Sequence, residues 1–459
     1  MTLARKVAVV GGGISGLACA LRLRELGVEP LLFESSDRPG GVIGSCLQNG
    51  FFFDSGPQSF LTTEPLLALI RAAGIENDLL RSDPKAPRFV LHRGKLQEIP
   101  LGPVPLMFTS LLGAASKLRL LSEPLRHTRP PTGEESIADF VRRKFGAEIL
   151  DYLVAPFVSG VYAGDPEKLS LQSAFPSVSQ WEHEYGSVLR GAIRSHPRPN
   201  QPKQALCSFR QGMGELPQAI AKSLGERVQC QARVEKISHA RSNGSAEFEL
   251  HVNIHGRTEA LRTHAVVLAA PAYVTSPLLG AVGSEHLATA VGGIPYAPVA
   301  VVGGGYAREA VGNPLFGFGY LVPRKEKFRT LGTVWNSSLF PGRAPEGKVT
   351  LTSFAGGATD TELFDLEDNA IFALIEHEAS KVLAISKPPV ERFIRRYARA
   401  LPQYNVGHES RIAAIRNEIA RVPGLFITGN YLRGPSVGNC VELAFDTAEQ
   451  ASRYLSPIS

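Results

Sequence analysis

Residues 7–10 (Val-Ala-Val-Val) form an unbroken apolar run that ends in Gly11-Gly12-Gly13-Ile14-Ser15-Gly16. Apolar residues then recur at Ile14, Leu17, Ala18 and Leu21, the i, i+3, i+4, i+7 spacing of a helix with one buried face. A second apolar run, 30–33, ends in Glu34. The pattern predicts strand, glycine turn, helix, strand, acid. An aromatic strand at 51–53 follows, then a helix over 64–74 with Leu66, Leu67, Ile70 and Ala73 inward and Gly74 as its stop. Residues 89–95 read as a hairpin around Arg93-Gly94. The stretch 99–122 is apolar but broken by prolines. A Pro/Thr/Arg stretch, 126–133, precedes a helical region to about 155. Residues 195–203 are polar, Pro-rich and aperiodic, as in a linker.

Period-two alternation begins at Val228, Cys230, Ala232 and Val234, and is cleaner at Ala246, Phe248, Leu250, Val252 and Ile254. This is the mark of an antiparallel meander. A buried run at 266–270 stops at Pro271. Strand-like runs at 299–302, 319–322 and 349–353, with a helix over 367–383, predict a second sheet. The end mirrors the start: strand 425–428, turn Gly429-Asn430, helix 439–455. The expected class is α/β with α+β insertions. Residues 1–85, 205–275 and 406–459 make a Rossmann-like domain. Residues 86–98 and 276–405 make a mixed-sheet substrate domain, and 99–204 a helical domain.

The glycine turn carries the first chemistry. Gly11 makes the tight turn, Gly13 lets backbone approach a pyrophosphate, and Gly16 lets helix pack on strand. Gly12, Ile14 and Ser15 complete the cradle, whose helix N-terminus offers N–H groups and a positive dipole end. Glu34 stands 23 residues after Gly11, placed to accept hydrogen bonds from a ribose diol. With all flanks in agreement, the chain is expected to bind a dinucleotide.

Composition narrows the field without redirecting it. A chain of 459 residues with 44% hydrophobic and 20% charged residues holds two or three ordinary globular cores. The net charge of +6 suits an anionic substrate and gives no sign of nucleic-acid binding. Cys19, Cys46, Cys207, Cys230 and Cys440 are scattered, odd in number and lack any C-x-x-C pair. That argues against a disulfide framework and against zinc. No apolar run reaches the ~18–20 residues of a membrane span. With no leader ahead of the first strand, the expected location is cytoplasmic. Residues 99–122, apolar but too short to span, suggest a peripheral contact with the inner face of the cell membrane.

The residues after Glu34 narrow the dinucleotide. Arg38-Pro39-Gly40-Gly41 resembles the extended FAD fingerprint of the amine-oxidase-like flavoproteins. Further stretches resemble one family among them: Gly56-Pro57-Gln58-Ser59-Phe60; Pro87-Arg88-Phe89-Val90 with Gly94-Lys95-Leu96; and Pro156-Phe157-Val158-Ser159-Gly160-Val161-Tyr162-Ala163-Gly164-Asp165-Pro166. Leu339-Phe340-Pro341-Gly342-Arg343, Pro402-Gln403-Tyr404-Asn405 and Gly429-Asn430-Tyr431 with Gly438-Asn439-Cys440-Val441 complete the set. Together, in order along the whole chain, they are similar to the oxygen-dependent protoporphyrinogen oxidases of haem biosynthesis.

The resemblance implies non-covalent FAD and a six-electron oxidation of a porphyrinogen by three O2, with release of hydrogen peroxide. The flavin carries the redox chemistry and the protein supplies binding and orientation, so no catalytic triad or metal is expected. It implies cofactor contacts at Ser35, Arg38, Gly40, Gly41, Val42, Gly56, Pro57, Val234, Val437 and Asn439, besides the Gly11–Gly16 turn, Glu34, Gly429 and Asn430. The C-terminal helix would aim its positive end at the pyrimidine side of the flavin. For the substrate it implies Arg88 on a propionate, Phe340 and Leu321 about the macrocycle, and Gly164 backbone near a ring N–H. Gln58 stands where the family commonly has Asn, and Arg433-Gly434-Pro435-Ser436 where it has smaller residues. Coproporphyrinogen III is the alternative substrate; a flavin amine oxidase, a carotenoid desaturase and a non-catalytic FAD-containing porphyrin carrier are the distant readings. Hand-over to a chelatase and a homodimer are further expectations.

Overall fold

The structure, a computed structural model, describes residues 6–100, 103–126, 131–195, 205–242 and 245–456. The expected linker lies outside these residues apart from Ser195. A five-stranded parallel sheet is ordered Val228–Gln229, Glu29–Phe33, Lys6–Val10, Ala265–Leu268, Leu425–Ile427. Alternate residues of its first strand enter two cores. Val7 and Val9 join Leu17 and Leu21 of helix Ile14–Glu25 and Val441, Ala444 and Ala448 of helix Val437–Leu455. Ala8 and Val10 join Phe248 and Leu250 of the meander, with Leu278, Leu279, Leu287 and Val291. Both faces are covered, which is why the strand reads as an unbroken apolar run.

Helices Ala272–Ala281 and Glu285–Gly292 contribute Leu278, Leu287 and their neighbours to this second core, as does Ile294. Packing thus joins these helices, which extend past residue 275, to the parallel sheet. The C-terminal helix starts at Val437, two residues before the expected Asn439. The Ser436 hydroxyl accepts from the Asn439 N–H at 3.1 Å and sets that start as an N-cap.

The substrate sheet has seven strands, ordered Glu391–Pro402, Tyr296–Ala307, Lys348–Gly356, Thr330–Val334, Gly319–Leu321, Arg88–His92, Lys95–Glu98. Only the pair Gly319–Leu321 and Arg88–His92 runs parallel. Strand Glu391–Pro402 escapes a hydrophobic-pattern reading because arginines fill it. Arg392 and Arg396 pair with Glu376 and Asp368 on helix Asp368–Leu383. Their guanidinium groups also lie over Phe372 and Phe364, so charged stems do the covering that apolar side chains do elsewhere.

The helical region holds its own core. Leu111 and Leu112, 1% and 3% exposed, lie with Val90, Phe140, Val158 and Tyr404. They are therefore not surface residues of the apolar stretch 99–122. Beneath them Lys144, Glu123 and Glu182 form a buried charge cluster: Lys144 Nζ is 2.8 Å from Glu182 and 3.6 Å from Glu123. Burial pulls the Glu182 carboxyl up, but hydrogen bonds from Arg143 and Lys144 outweigh it and hold it below its ordinary value.

His408 opens helix His408–Ile419, buried with its ring 4.8 Å from that of Tyr404. Burial, then the Arg411 charge, hold its pKa down at about 4, against a backbone hydrogen bond at Tyr431 that pulls it up. The unfolded chain, titrating near 6.5, binds that proton first as pH falls. Stability is therefore complete above about pH 6.5 and declines toward pH 4 by on the order of 3 kcal/mol from this group. Denaturant unfolding of the parent and of His408→Gln between pH 4 and 7 checks this: the variant should lose that share of the slope.

Candidate active site

The glycine turn is built by contacts that exclude side chains. Gly11 has φ +110°, and a Cβ on Gly16 would lie 1.9 Å from the Gly11 carbonyl oxygen. Helix and strand thus meet at a distance only glycine permits. Gly13 is different, since a Cβ there would meet nothing within 4 Å. Its outer side faces open space, as a pyrophosphate would require. The loop after Glu34 lies against this turn: Gly40 N–H donates to Gly12 O at 2.8 Å, and Gly13 and Gly40 form an isolated parallel bridge. Gly40 and Gly41 have φ of +112° and +58°.

Glu34 is buried, and its Oε2 accepts from Gly12 N–H at 2.7 Å. The other oxygen accepts from the Ser36 N–H and hydroxyl at 2.8 and 2.7 Å. This fixes the carboxylate at the turn; Oε1 has both lone pairs engaged, while Oε2 keeps one for a diol. Ser35 is exposed at the rim of a cleft shared with Gln231, Arg233 and His255. Val234, buried, borders the strand irregularity between Val234 and Lys236. Arg38 donates to the carbonyls of Pro39, Gly41 and Ile43 at 3.1–3.3 Å. It braces the loop that the resemblance brings to the phosphates.

Val42 is exposed, and its carbonyl would lie 2.3 Å from a Cβ on Gly56, so the Gly56-Pro57 turn packs directly on the loop. Val437 and Cys440 share a core with Ile14 and Ala18. The N-termini of helices Ile14–Glu25 and Val437–Leu455 therefore lie side by side, two positive ends at one place. Asn430, after Gly429, gives its carbonyl to the Tyr404 hydroxyl. The Asn439 amide packs against Gly434, 2.1 Å from where a Cβ would stand. Arg433 turns away to Asp446 at 2.8 Å and Glu442 at 3.8 Å, which removes its bulk from the turn.

Two of the residues expected at the substrate, Arg88 and Leu321, lie on one face of the seven-stranded sheet. Residues paired across adjacent strands share a face, so Val90, Leu321, Gly332, Phe354 and Val301 form one row. Two residues along, on the same face, run Arg88, Gly319, Val334, Thr352 and Gly303. Gly332 stands between Leu321 and Phe354, which are two strand spacings, roughly 9–10 Å, apart, and Leu321 leans over it: a Cβ on Gly332 would fall 3.2 Å from Leu321 Cδ2. Leu321, Val334 and Phe354 are half-buried and Arg88 is exposed. Helix Ala155–Tyr162 lies over this face, and a Cβ on its Gly160 would fall 2.5 Å from Leu321 Cδ2. Arg88 extends at one end, its guanidinium 5.5 Å from the centre of the Phe318 ring. Leu321, Phe354 and Arg88 thus set an aliphatic side chain, an aromatic side chain and a cation along one face beneath this helix, the candidate ring slot.

Phe340 is not in this slot. It is 1% exposed, with the Arg343 guanidinium 5.7 Å from its ring centre; Phe354 supplies the aromatic side. The reason is register: Phe354 sits opposite Gly332, while Phe340 follows helix Asn336–Leu339 into the interior. No sequence pattern marks Phe354 or Val334, because their role depends on which strands are neighbours. Gln58 is also turned inward. Its amide donates to the carbonyls of Asp54 and Gly56 and accepts from Asn336, so the residue joins two loops. Gly164 is buried against Leu169 and Gln403 Oε1, an acceptor without a donor.

The two phenylalanines should separate by stability. Phe340→Ala should cost about 3–5 kcal/mol as a core truncation, and Phe354→Ala clearly less. Urea unfolding of both variants against the parent gives the comparison.

Residues 14–455 match the flavin containing amine oxidoreductase family. The chloroplastic protoporphyrinogen oxidase of Oryza sativa subsp. japonica is 37% identical, over 98% of this chain and 88% of the relative. The coproporphyrinogen III oxidase of Bacillus subtilis (strain 168) is 29% identical, over 98% of each. A crystal structure from Exiguobacterium sp. 255-15 shares the fold, with a TM-score of 0.83 at 23% identity, covering 99% of this chain and all of that one. The glycine cradle and full-length matches agree: the chain belongs to the flavin containing amine oxidoreductases and, among them, to the protoporphyrinogen oxidase family.

Proposed function

We propose that this flavoprotein oxidase converts protoporphyrinogen IX to protoporphyrin IX, with the ring against the sheet face of Leu321 and Phe354. One observation carries this: a half-buried sheet face that presents an aliphatic and an aromatic residue, with exposed Arg88 at its end. A flat apolar macrocycle bearing carboxylates at one edge fits that arrangement. The glycine cradle, Glu34 and the loop that Arg38 braces would hold FAD, which when bound would supply two-electron oxidation with O2 as the final acceptor. The protein's own part is orientation. Arg88 holds a propionate, Leu321 and Phe354 fix the ring plane, and helix Ala155–Tyr162 covers the slot against water. Oxygen uptake by the purified holoenzyme with protoporphyrinogen IX, coproporphyrinogen III and simple amines tests the assignment. Uptake with the amines alone would overturn it, and a preference for coproporphyrinogen III would move it to the second porphyrinogen.

Arg88→Ala removes a hydrogen bond to a charged group, worth about 1.5–3 kcal/mol. KM should then rise roughly 10- to 150-fold and kcat fall less, because the reacting methylene bridge lies away from the propionate. Arg88→Lys should recover part, since a point charge cannot make the bidentate pair. Steady-state kinetics at full FAD content give the answer; parental constants in Arg88→Ala would contradict the role.

The helical region is the proposed membrane contact. Phe108, Leu118, Leu125 and Ile193 are 84%, 68%, 75% and 79% exposed. Among the described residues no helix is long and apolar enough to cross a bilayer. Such side chains suit shallow insertion into the headgroup region. Flotation with anionic liposomes should drop markedly in Phe108→Asp with Leu118→Asp, at unchanged thermal stability. Equal flotation of variant and parent would remove the contact.

A further inference from the structure

Between the ring slot and the cofactor turn runs one short stretch of chain, residues 332–343. It leaves the slot at Gly332 and Val334. Asn336, 3% exposed, then donates from Nδ2 to Gln58 Oε1 at 2.7 Å. The orientation of that bond is fixed, because the Gln58 amide nitrogen is committed to the carbonyls of Asp54 and Gly56 at 3.0 and 2.8 Å. Seven residues on, Arg343 is 1% exposed. Its guanidinium enters the nucleotide domain and donates to Ser208 Oγ at 2.7 Å, Phe209 O at 2.8 Å and Arg210 O at 3.4 Å. Its own carbonyl accepts from Phe52 N–H at 3.1 Å.

The counter-charge is Asp54, 2% exposed, which immediately precedes the Ser55-Gly56-Pro57-Gln58 turn. It accepts from the Ser45 hydroxyl, and from Met213 N–H at 2.8 Å. Burial pushes the Asp54 carboxyl up, opposed first by the Arg343 charge and then by those hydrogen bonds. Burial likewise pulls the Arg343 guanidinium down, opposed by Asp54 and Glu215. The two charges act on each other across the interior without a direct ion pair, and desolvation consumes most of such an attraction. What it supplies is register: an uncompensated Asp54 would be driven to move, and the turn after it would move too.

We infer that residues 332–343 couple the ring slot to the cofactor turn, with Arg343 as the positioning residue that links occupancy of one site to affinity at the other. The inference rests on the reading that the slot takes a tetrapyrrole and the cradle FAD. A ring that orders the strand Thr330–Val334 also orders Asn336 and Arg343, and through them Gln58 and Asp54. Linkage then requires that ring and flavin raise each other's affinity by the same factor.

The test is the FAD dissociation constant of the holoenzyme, read by flavin fluorescence on dilution, with and without saturating protoporphyrin IX. In the parent the porphyrin should tighten FAD roughly five-fold or more. Ser208→Ala, which removes one guanidinium partner, and Arg343→Lys, which keeps charge but not the fork, should each lower that ratio partway. Arg343→Met should bring it to one while circular dichroism stays parental. If Arg343→Met does not fold, the Ser208→Ala and Arg343→Lys ratios decide. A parental ratio in both, or a ratio of one in a parent that binds both ligands, overturns the coupling and leaves the functional reading standing. A parent that binds FAD but no porphyrin overturns that reading, and the coupling with it.

Discussion

The Gly11 carbonyl oxygen occupies the place where any side chain on residue 16 would begin. That contact sets how closely helix Ile14–Glu25 lies on the parallel sheet, and much else follows from it. The helix N-terminus is held at the strand ends, where its free N–H groups and dipole face a phosphate. Glu34, on the next strand, reaches back to Gly12 and fixes the far side of the turn. The loop carrying Gly40 and Gly41 lies down on Gly12 and Gly13. Finally the C-terminal helix, some 400 residues later in the chain, brings a second N-terminus to the same place.

Glycine acts in a second way in the substrate sheet. At Gly11 and Gly16 its role is close approach of backbone; at Gly332 and Gly160 it makes room for the Leu321 side chain between sheet and helix. The two sites are made in different domains, so their relative position depends on what crosses between them. Buried polar groups do that work here. Arg343, Gln58 and Asn336 each give up hydration and gain a fixed partner across that junction, while Asp54 is held by Ser45 and Met213 on its own side. Specific geometry is what such networks provide, more than net stability.

The nucleotide domain was legible in sequence because its signals are local. A four-residue apolar run, three glycines at fixed spacing and an acid at the end of the next strand require no knowledge of distant contacts. Motif resemblance also pointed to Arg88 and Leu321, which the sheet register places on one face, and to Phe340, which lies in the interior; a motif says nothing about which way a side chain turns after a short helix. Phe354 and Val334 were invisible for the complementary reason: both belong to ordinary-looking strands and gain meaning only from pairing with Thr330–Val334 and Gly319–Leu321. The stretch 99–122 reads as one apolar block, yet Leu111 and Leu112 are core and Phe108 and Leu118 are surface. Short helices broken by prolines carry too few turns for periodicity to separate the two.

The central claim is that cofactor cradle and ring slot form one catalytic unit for a porphyrinogen. Anaerobic rapid mixing of the oxidised holoenzyme with protoporphyrinogen IX addresses it directly, because the flavin's own absorbance reports electron transfer without O2 or a coupled assay. The account requires the yellow band to bleach within the turnover time, with one porphyrinogen consumed for every three flavins reduced, and to return on admission of O2. A band that stays oxidised in protein shown to bind the porphyrinogen would contradict it.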